Sequence, residues 1–124
     1  MRNVVLIAHG DPELLEKYTN ALDAAGFNCL AAGSGGDALS TGLSYKPQFA
    51  ILQVALEEVQ GTDVALRLKQ EAGNIHVILL GRDQREDKFI AQEIGADLLL
   101  PEPVEPKELV AHLKAMHEKI ARSI

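Results

Sequence analysis

Apolar residues fall into two kinds of stretch along this chain. Val4–Ala8, Phe27–Ala31, Phe49–Leu52, Ile75–Leu80 and Leu98–Leu100 are short, predominantly apolar stretches. Each is too short for a helix and has the length of a buried strand. In Val4–Ala8 and Phe49–Leu52 the apolar character is unbroken rather than alternating, as expected of parallel strands covered on both faces. Between the runs, apolar positions recur at helical spacing. Asp11 and Pro12 read as N-cap and first residue of a helix whose stripe is Leu14, Leu15, Tyr18, Ala21 and Leu22, closed by Gly26. Ser34 or Asp37 would cap a weak helix carrying Ala38, Leu39 and Leu43, which stops before Pro47. Val59, Val64, Leu66 and Leu68 mark a third helix, running out at Gly73. The segment 83–94 sets charges on one face and Phe89, Ile90 and Ile94 on the other, with Gly95 at its end. Pro106 opens the last helix, whose inward stripe is Leu109, Val110, Leu113 and Met116, extended by Ile120. Lys114, Lys119 and Arg122 in its later turns complement the negative helix end.

Five strands alternating with five helices through short connections predict an α/β fold: a single doubly wound (βα)5 domain over residues 1–124, joined by right-handed crossovers. By analogy with flavodoxin-like sheets, the parallel five-stranded order is 2-1-3-4-5, with the ligand crevice at the carboxyl ends of strands one and three. The middle run ends on Gln53, so that amide stands at the mouth of the crevice. His9, Gly10, Gly81 and Glu102 fall at or just after the carboxyl ends of the other central strands and should converge with it.

Composition narrows the function classes. At 124 residues the chain can bury roughly two-thirds of its unfolded surface without staples. A hydrophobic fraction of 47% with only 4% aromatics implies a core of Leu, Ile, Val and Ala. A net charge of −6 without a basic stripe argues against nucleic acid as a direct partner. The single cysteine, Cys29, precludes an intramolecular disulfide and is expected to be small buried filler in a reducing compartment. No run reaches the length of a membrane span, and Met1-Arg2-Asn3 lacks the apolar region of a signal peptide, so a cytoplasmic location away from membranes is expected.

Four segments carry a resemblance over essentially the whole chain: VLIAHGDPELL at residues 5–15, PQFAILQVALEEVQG at 47–61, HVILLGRD at 76–83 and GADLLLPEPVEPKEL at 95–109. The chain resembles the receiver domain of bacterial two-component response regulators. In that family a pair of carboxylates after the first strand and an aspartate after the third hold magnesium, and that aspartate takes a phosphoryl group. Matched position by position, the carboxylate pair is His9 and Gly10, the phosphoacceptor is Gln53, and the switch hydroxyl is Gly81. The aromatic switch is Leu99 and the lysine is Glu102, while Pro12, Pro47, Gly61, Gly95, Ala96, Pro103 and Pro106 keep the scaffold. An uncharged amide whose lone pairs are delocalised is no phosphoryl nucleophile. The resemblance therefore implies a degenerate pseudo-receiver, without enzymatic activity, catalytic residue, metal or cofactor.

The remaining readings are narrower. Asp11, Glu57 and Glu102 are the only candidates for a cation, yet Asp11 serves as a helix cap and Glu57 and Glu58 suit the start of helix three. His9 could accept a phosphoryl group, act as base or sense pH, but no partner triad accompanies it, and filling the vacated crevice is the simpler role. His76, His112 and His117 are too scattered for a metal set. Arg82 is expected to pair with Glu102 or Glu57 across the crevice, and Glu102-Pro103 matches a family peptide that is commonly cis. The resemblance implies an interaction face on the fourth helix, fifth strand and last helix, over 84–94 and 106–124. Gln84, Lys88, Gln92, Leu99, Lys107, Ala111 and Lys114 are its candidate residues, and no large apolar patch is evident. Its expected occupants are another signalling protein, a linked effector domain or a second copy forming a homodimer. The competing reading is a small-ligand sensor in the crevice built on His9, Gln53, Arg82 and Glu102.

Overall fold

The computed structural model describes residues 3–122; Met1, Arg2, Ser123 and Ile124, with the expectations placed on them, lie outside it. Strands β1 (Val4–Ala8), β2 (Asn28–Ala32), β3 (Phe49–Gln53), β4 (His76–Gly81) and β5 (Leu98–Pro101) form one parallel sheet in the order β2-β1-β3-β4-β5. They alternate with α1 (Pro12–Ala24), α2 (Gly35–Tyr45), α3 (Gly61–Ala72), α4 (Arg85–Ile94) and α5 (Pro106–Arg122). The fold is the flavodoxin-like α/β arrangement that the spacing of apolar runs predicts.

Successive strand residues face opposite sides of a sheet, and here both sides are dry. Val5, Ile7, Phe49, Ile51, Ile78 and Leu80 pack with Tyr18 and Leu22 of α1 and Leu109 and Leu113 of α5. Leu6, Ala8, Ala50, Leu52, Val77 and Leu79 pack with Ala38 of α2, Val64 and Leu68 of α3, and Ala91 of α4. The helices therefore cover the sheet as two layers, which is why the strands lack polar alternation.

Helix ends follow local chemistry. Asp11 Oδ1 accepts the backbone N–H groups of Glu13 and Leu14, with Pro12 next to it at the first helical position. Ser34, not Asp37, caps α2, its hydroxyl accepting the Asp37 N–H at 3.1 Å. Gly95 closes α4 at φ 74°, a left-handed conformation that costs glycine little.

Several boundaries and faces differ from expectation. The Phe27 N–H bonds to the Leu22 carbonyl and finishes the α1 turn, so β2 begins one residue later. Val59 precedes α3, and Leu66 is exposed on it. Phe89 and Ile90 are 61% and 40% exposed, because α4 turns Asp87 and Ala91 inward instead. Cys29 is half-buried rather than enclosed, and burial, reinforced by Asp23, pushes its thiol up to about 12.

Candidate functional site

The parallel sheet brings five of the singled-out positions to one edge. Gln53 and Gly81 are the last residues of β3 and β4, His9 and Gly10 follow β1, and Glu102 follows β5. The Glu102-Pro103 peptide is cis, as expected.

On the β1–β3 side these residues bond to one another. Gln53 Oε1 accepts the Gly10 N–H at 2.8 Å. His9 is only 2% exposed, with its ring edge against Tyr18 at a centroid separation of 5.8 Å. Its Nδ1 accepts the Asp11 N–H at 3.0 Å, and its Nε2 lies 2.9 Å from Glu102 Oε2. A backbone N–H can only donate, so Nδ1 carries no proton and Nε2–H donates to the carboxylate. The contact is thus a hydrogen bond from a neutral imidazole rather than an ion pair. Tyr18 completes the cluster by donating its hydroxyl to the Val104 carbonyl at 2.7 Å. Burial, and next the negative charge of Glu102, raises its phenol above the usual value.

On the β4–β5 side a cavity of about 330 Å³ remains, lined by residues including Gln53, Gly81, Arg82, Asp87 and Glu102. Gly81 is not merely a position without a hydroxyl. A Cβ there would lie 2.9 Å from both Asp87 Oδ2 and Val54 Cγ2, and 3.2 Å from Leu99 Cδ1. The buried Asp87 carboxylate, 8% exposed, comes up beside Gly81 and accepts the Arg82 N–H at 2.8 Å. Sequence reading missed Asp87, since an acid in the first turn of a charged helix looks solvated; the small residue at 81 was the available sign.

The expected pairing of Arg82 is not formed. Glu102 turns to His9, which supplies a buried donor, and the exposed Arg82 guanidinium has no carboxylate partner among the described residues. Glu57 is held elsewhere, its carbonyl accepting the N–H groups of Gly35 and Val59. Glu58 likewise stands before α3 rather than in it, at φ 71°, and accepts the Ser34 hydroxyl at 3.0 Å. A Cβ on Gly35 would fall 1.6 Å from the Val59 carbonyl oxygen, so α2 begins in direct backbone contact with this loop.

Magnesium, which the receiver resemblance implies, takes near-octahedral oxygen ligands, usually including one or two carboxylates. Here Glu102 is the carboxylate nearest in the matched pattern and is engaged by His9, Gln53 Oε1 is engaged by Gly10, and Asp11 caps α1. These residues do not fit the ion. Among the described residues no group of three or more His, Cys, Asp or Glu side chains is placed to hold a metal.

The residues singled out for an interaction face divide between two surfaces. Lys88 and Gln92 border a shallow dip on α4 with Phe89, and Lys88 Nζ pairs with Asp83 Oδ1 at 2.7 Å. Gln84 precedes α4 as its N-cap residue, without a side-chain cap bond, and Leu99 is half-buried on β5. Lys107, Ala111 and Lys114 instead line a depression against α1, because that stripe of α5 points toward Ala21 and Ala25. The α5 residues that line a cavity together with Leu98 of β5 include His112, Ala115, Met116 and Lys119. Phe89 and Ile90 give α4 the exposed apolar surface that sequence reading did not find. No helix among the described residues is long and apolar enough to cross a membrane.

The fold agrees with what comparison with known proteins shows. A model of the response regulator receiver domain matches residues 5–114. The DNA-binding response regulator MtrA of Mycolicibacterium smegmatis is 33% identical over 115 residues, covering 93% of this chain and 50% of that protein. The alkaline phosphatase synthesis transcriptional regulatory protein PhoP of Bacillus subtilis is 26% identical over 117 residues, covering 94% and 49%. The chain thus spans about half the length of the curated relatives it matches. Among solved structures, a CheY-like receiver domain protein from Methanospirillum hungatei gives a TM-score of 0.93 at 18% identity, covering 100% of both chains. The response regulator DrrB of Thermotoga maritima gives 0.88 at 23% identity, over 96% of this chain and 54% of that one. At those identities the likeness is one of fold; the family model and the relatives carry the assignment. This chain belongs to the family of receiver domains of two-component response regulators.

Proposed function

We propose that this receiver domain signals by protein contact alone, as a pseudo-receiver that carries no phosphoryl group at its acceptor position. The observation that supports this reading is Gln53: an amide stands at the end of β3, with its oxygen already bonded to the Gly10 N–H at 2.8 Å. An amide oxygen so engaged is neither a nucleophile nor a charged ligand. No catalytic step is assigned to His9, Gly10, Gly81, Arg82, Leu99 or Glu102, and the domain acts without enzymatic activity, cofactor or metal.

The chain works as one unit over residues 1–124. Its partner is another signalling protein, a linked effector domain or a second copy, and neither nucleic acid nor a membrane contacts it directly. The surface is that of α4 with β5 and the adjoining side of α5, where Phe89 and Ile90 are exposed on α4 and Phe89 lies beside Lys88 and Gln92, with Gln84 at the start of the helix. The test of silence is incubation with acetyl phosphate and magnesium followed by intact-mass measurement. An unchanged mass is expected; a stable gain of one phosphoryl group overturns the reading. For the contact surface, a Phe89→Asp bait is expected to lose a partner that the unmodified domain captures.

A second reading is favoured by one observation, the cavity of about 330 Å³ on the β4–β5 side. Its size falls within the range of small-ligand sites, which would make the open half of the crevice a sensor. Ligand-induced shifts confined to Gln53, Gly81 and Arg82 would support it.

A further inference from the structure

A second cavity, of about 390 Å³, lies at the opposite edge of the sheet, between β5 and α5. We propose that it binds a small aliphatic monocarboxylate, with the apolar body over Leu98 and Met116 and the carboxylate held by Lys119 and His112. This site is separate from the crevice, and the proposal stands whether or not Gln53 is chemically silent.

The floor is apolar, since Leu98, Ala115, Met116 and Ile120 all line it. Its volume is at the lower end of small-molecule pockets, which combine apolar walls with a few convergent polar groups. The polar groups decide the ligand's charge. Asp97 is the one acid in the lining, and the protein's own donors face it. Its Oδ2 accepts the Val77 N–H at 2.8 Å and lies 3.8 Å from Lys69 Nζ, while Oδ1 lies 3.6 Å from His76 Nδ1. Lys119 and His112 have no hydrogen-bond or ion-pair partner among the described residues, yet both border the cavity. Seven positions apart on α5, they sit about two turns apart on one face and bracket Ala115 and Met116.

The net charge of the chain sharpens the choice. At −6 it repels polyanions such as nucleic acid at long range, so one unmatched lysine suits a singly charged anion. The apolar floor then requires that anion to carry a hydrocarbon body, since a hydrated inorganic ion would leave the floor uncovered.

The test uses the full chain labelled with nitrogen-15 and titrated with hexanoate, with hexanamide as the uncharged counterpart. Saturable shifts are expected at the amides of Leu98, Ala115 and Met116, with hexanoate binding more tightly than hexanamide. Lys119→Gln is expected to weaken hexanoate about fivefold, the upper range of an exposed charge pair. Ala115→Phe, at an exposed position where added bulk is tolerated, is expected to fill the cavity and abolish binding while the spectrum stays dispersed. Absence of saturable shifts in the unmodified chain, equal affinity for hexanamide, or full binding by the Ala115→Phe chain would each overturn the proposal.

Discussion

The two halves of the crevice are built in different physical ways. On the β1–β3 side, side chains fill the space: His9 bonds to Glu102, and Gln53 accepts the Gly10 backbone N–H. On the β4–β5 side position 81 carries no side chain, and the space beside it is shared between a cavity and the Asp87 carboxylate. The first half is held by bonds among its own residues. The second half depends on a side chain from α4, the Asp87 carboxylate that comes up beside Gly81.

The closed half should give the largest response to mutation. His9→Ala removes a buried ring and leaves Glu102 without its donor, and about 3 kcal/mol should be lost in urea unfolding. A loss near zero would show that the His9–Glu102 contact contributes little and that the halves are alike. Next comes the open half, where Gly81→Thr drives a side chain into Asp87 and Val54 and should cost about 2 kcal/mol. Coupling should appear in an Asp87→Ala background, where the same substitution is better tolerated by about 1 kcal/mol. Additive penalties would mean that Val54 and Leu99, rather than Asp87, exclude the side chain.

Smaller effects sharpen the contrast. Gln53→Ala removes the acceptor of an exposed Gly10 N–H and should cost about 0.5 to 1 kcal/mol. Raising the pH tests the groups whose protons the fold retains. Tyr18 and Cys29 ionise near 10.0 and 9.0 when unperturbed and later in the folded chain, Cys29 near 12. Their contribution to stability is therefore intact below pH 9 and falls as pH climbs through 10 toward 12, and Tyr18→Phe with Cys29→Ala should flatten that decline. Arg82→Gln should change stability by less than about 0.5 kcal/mol, because its exposed guanidinium has no carboxylate partner among the described residues. A large loss there would reinstate an ion pair across the open half.

The sheet was legible because burial on both faces leaves an unmistakable record in a sequence: runs such as Phe49–Leu52 have no polar interruption, and their ends locate Gln53 and Gly81. Convergence of His9, Gln53 and Glu102 followed from topology alone. Partner choice was not legible. Glu102 had two candidate cations, and its selection of His9 depends on the depth of a ring that sequence cannot measure. Helix facing failed on α4 for a related reason. Phe89 and Ile90 read as inward by hydropathy, but the bond from the Arg82 backbone to Asp87 sets the rotation of the first turn and carries those two side chains outward.

The loop that leaves Gln53 has a second owner. Through the Gly35 N–H to the Glu57 carbonyl at 2.8 Å, and the Ser34 hydroxyl to Glu58 at 3.0 Å, the first turn of α2 is stitched to it. These two stretches are far apart in the chain, yet two hydrogen bonds and a backbone contact at Gly35 tie the amino end of α2 to the doorstep of the central strand.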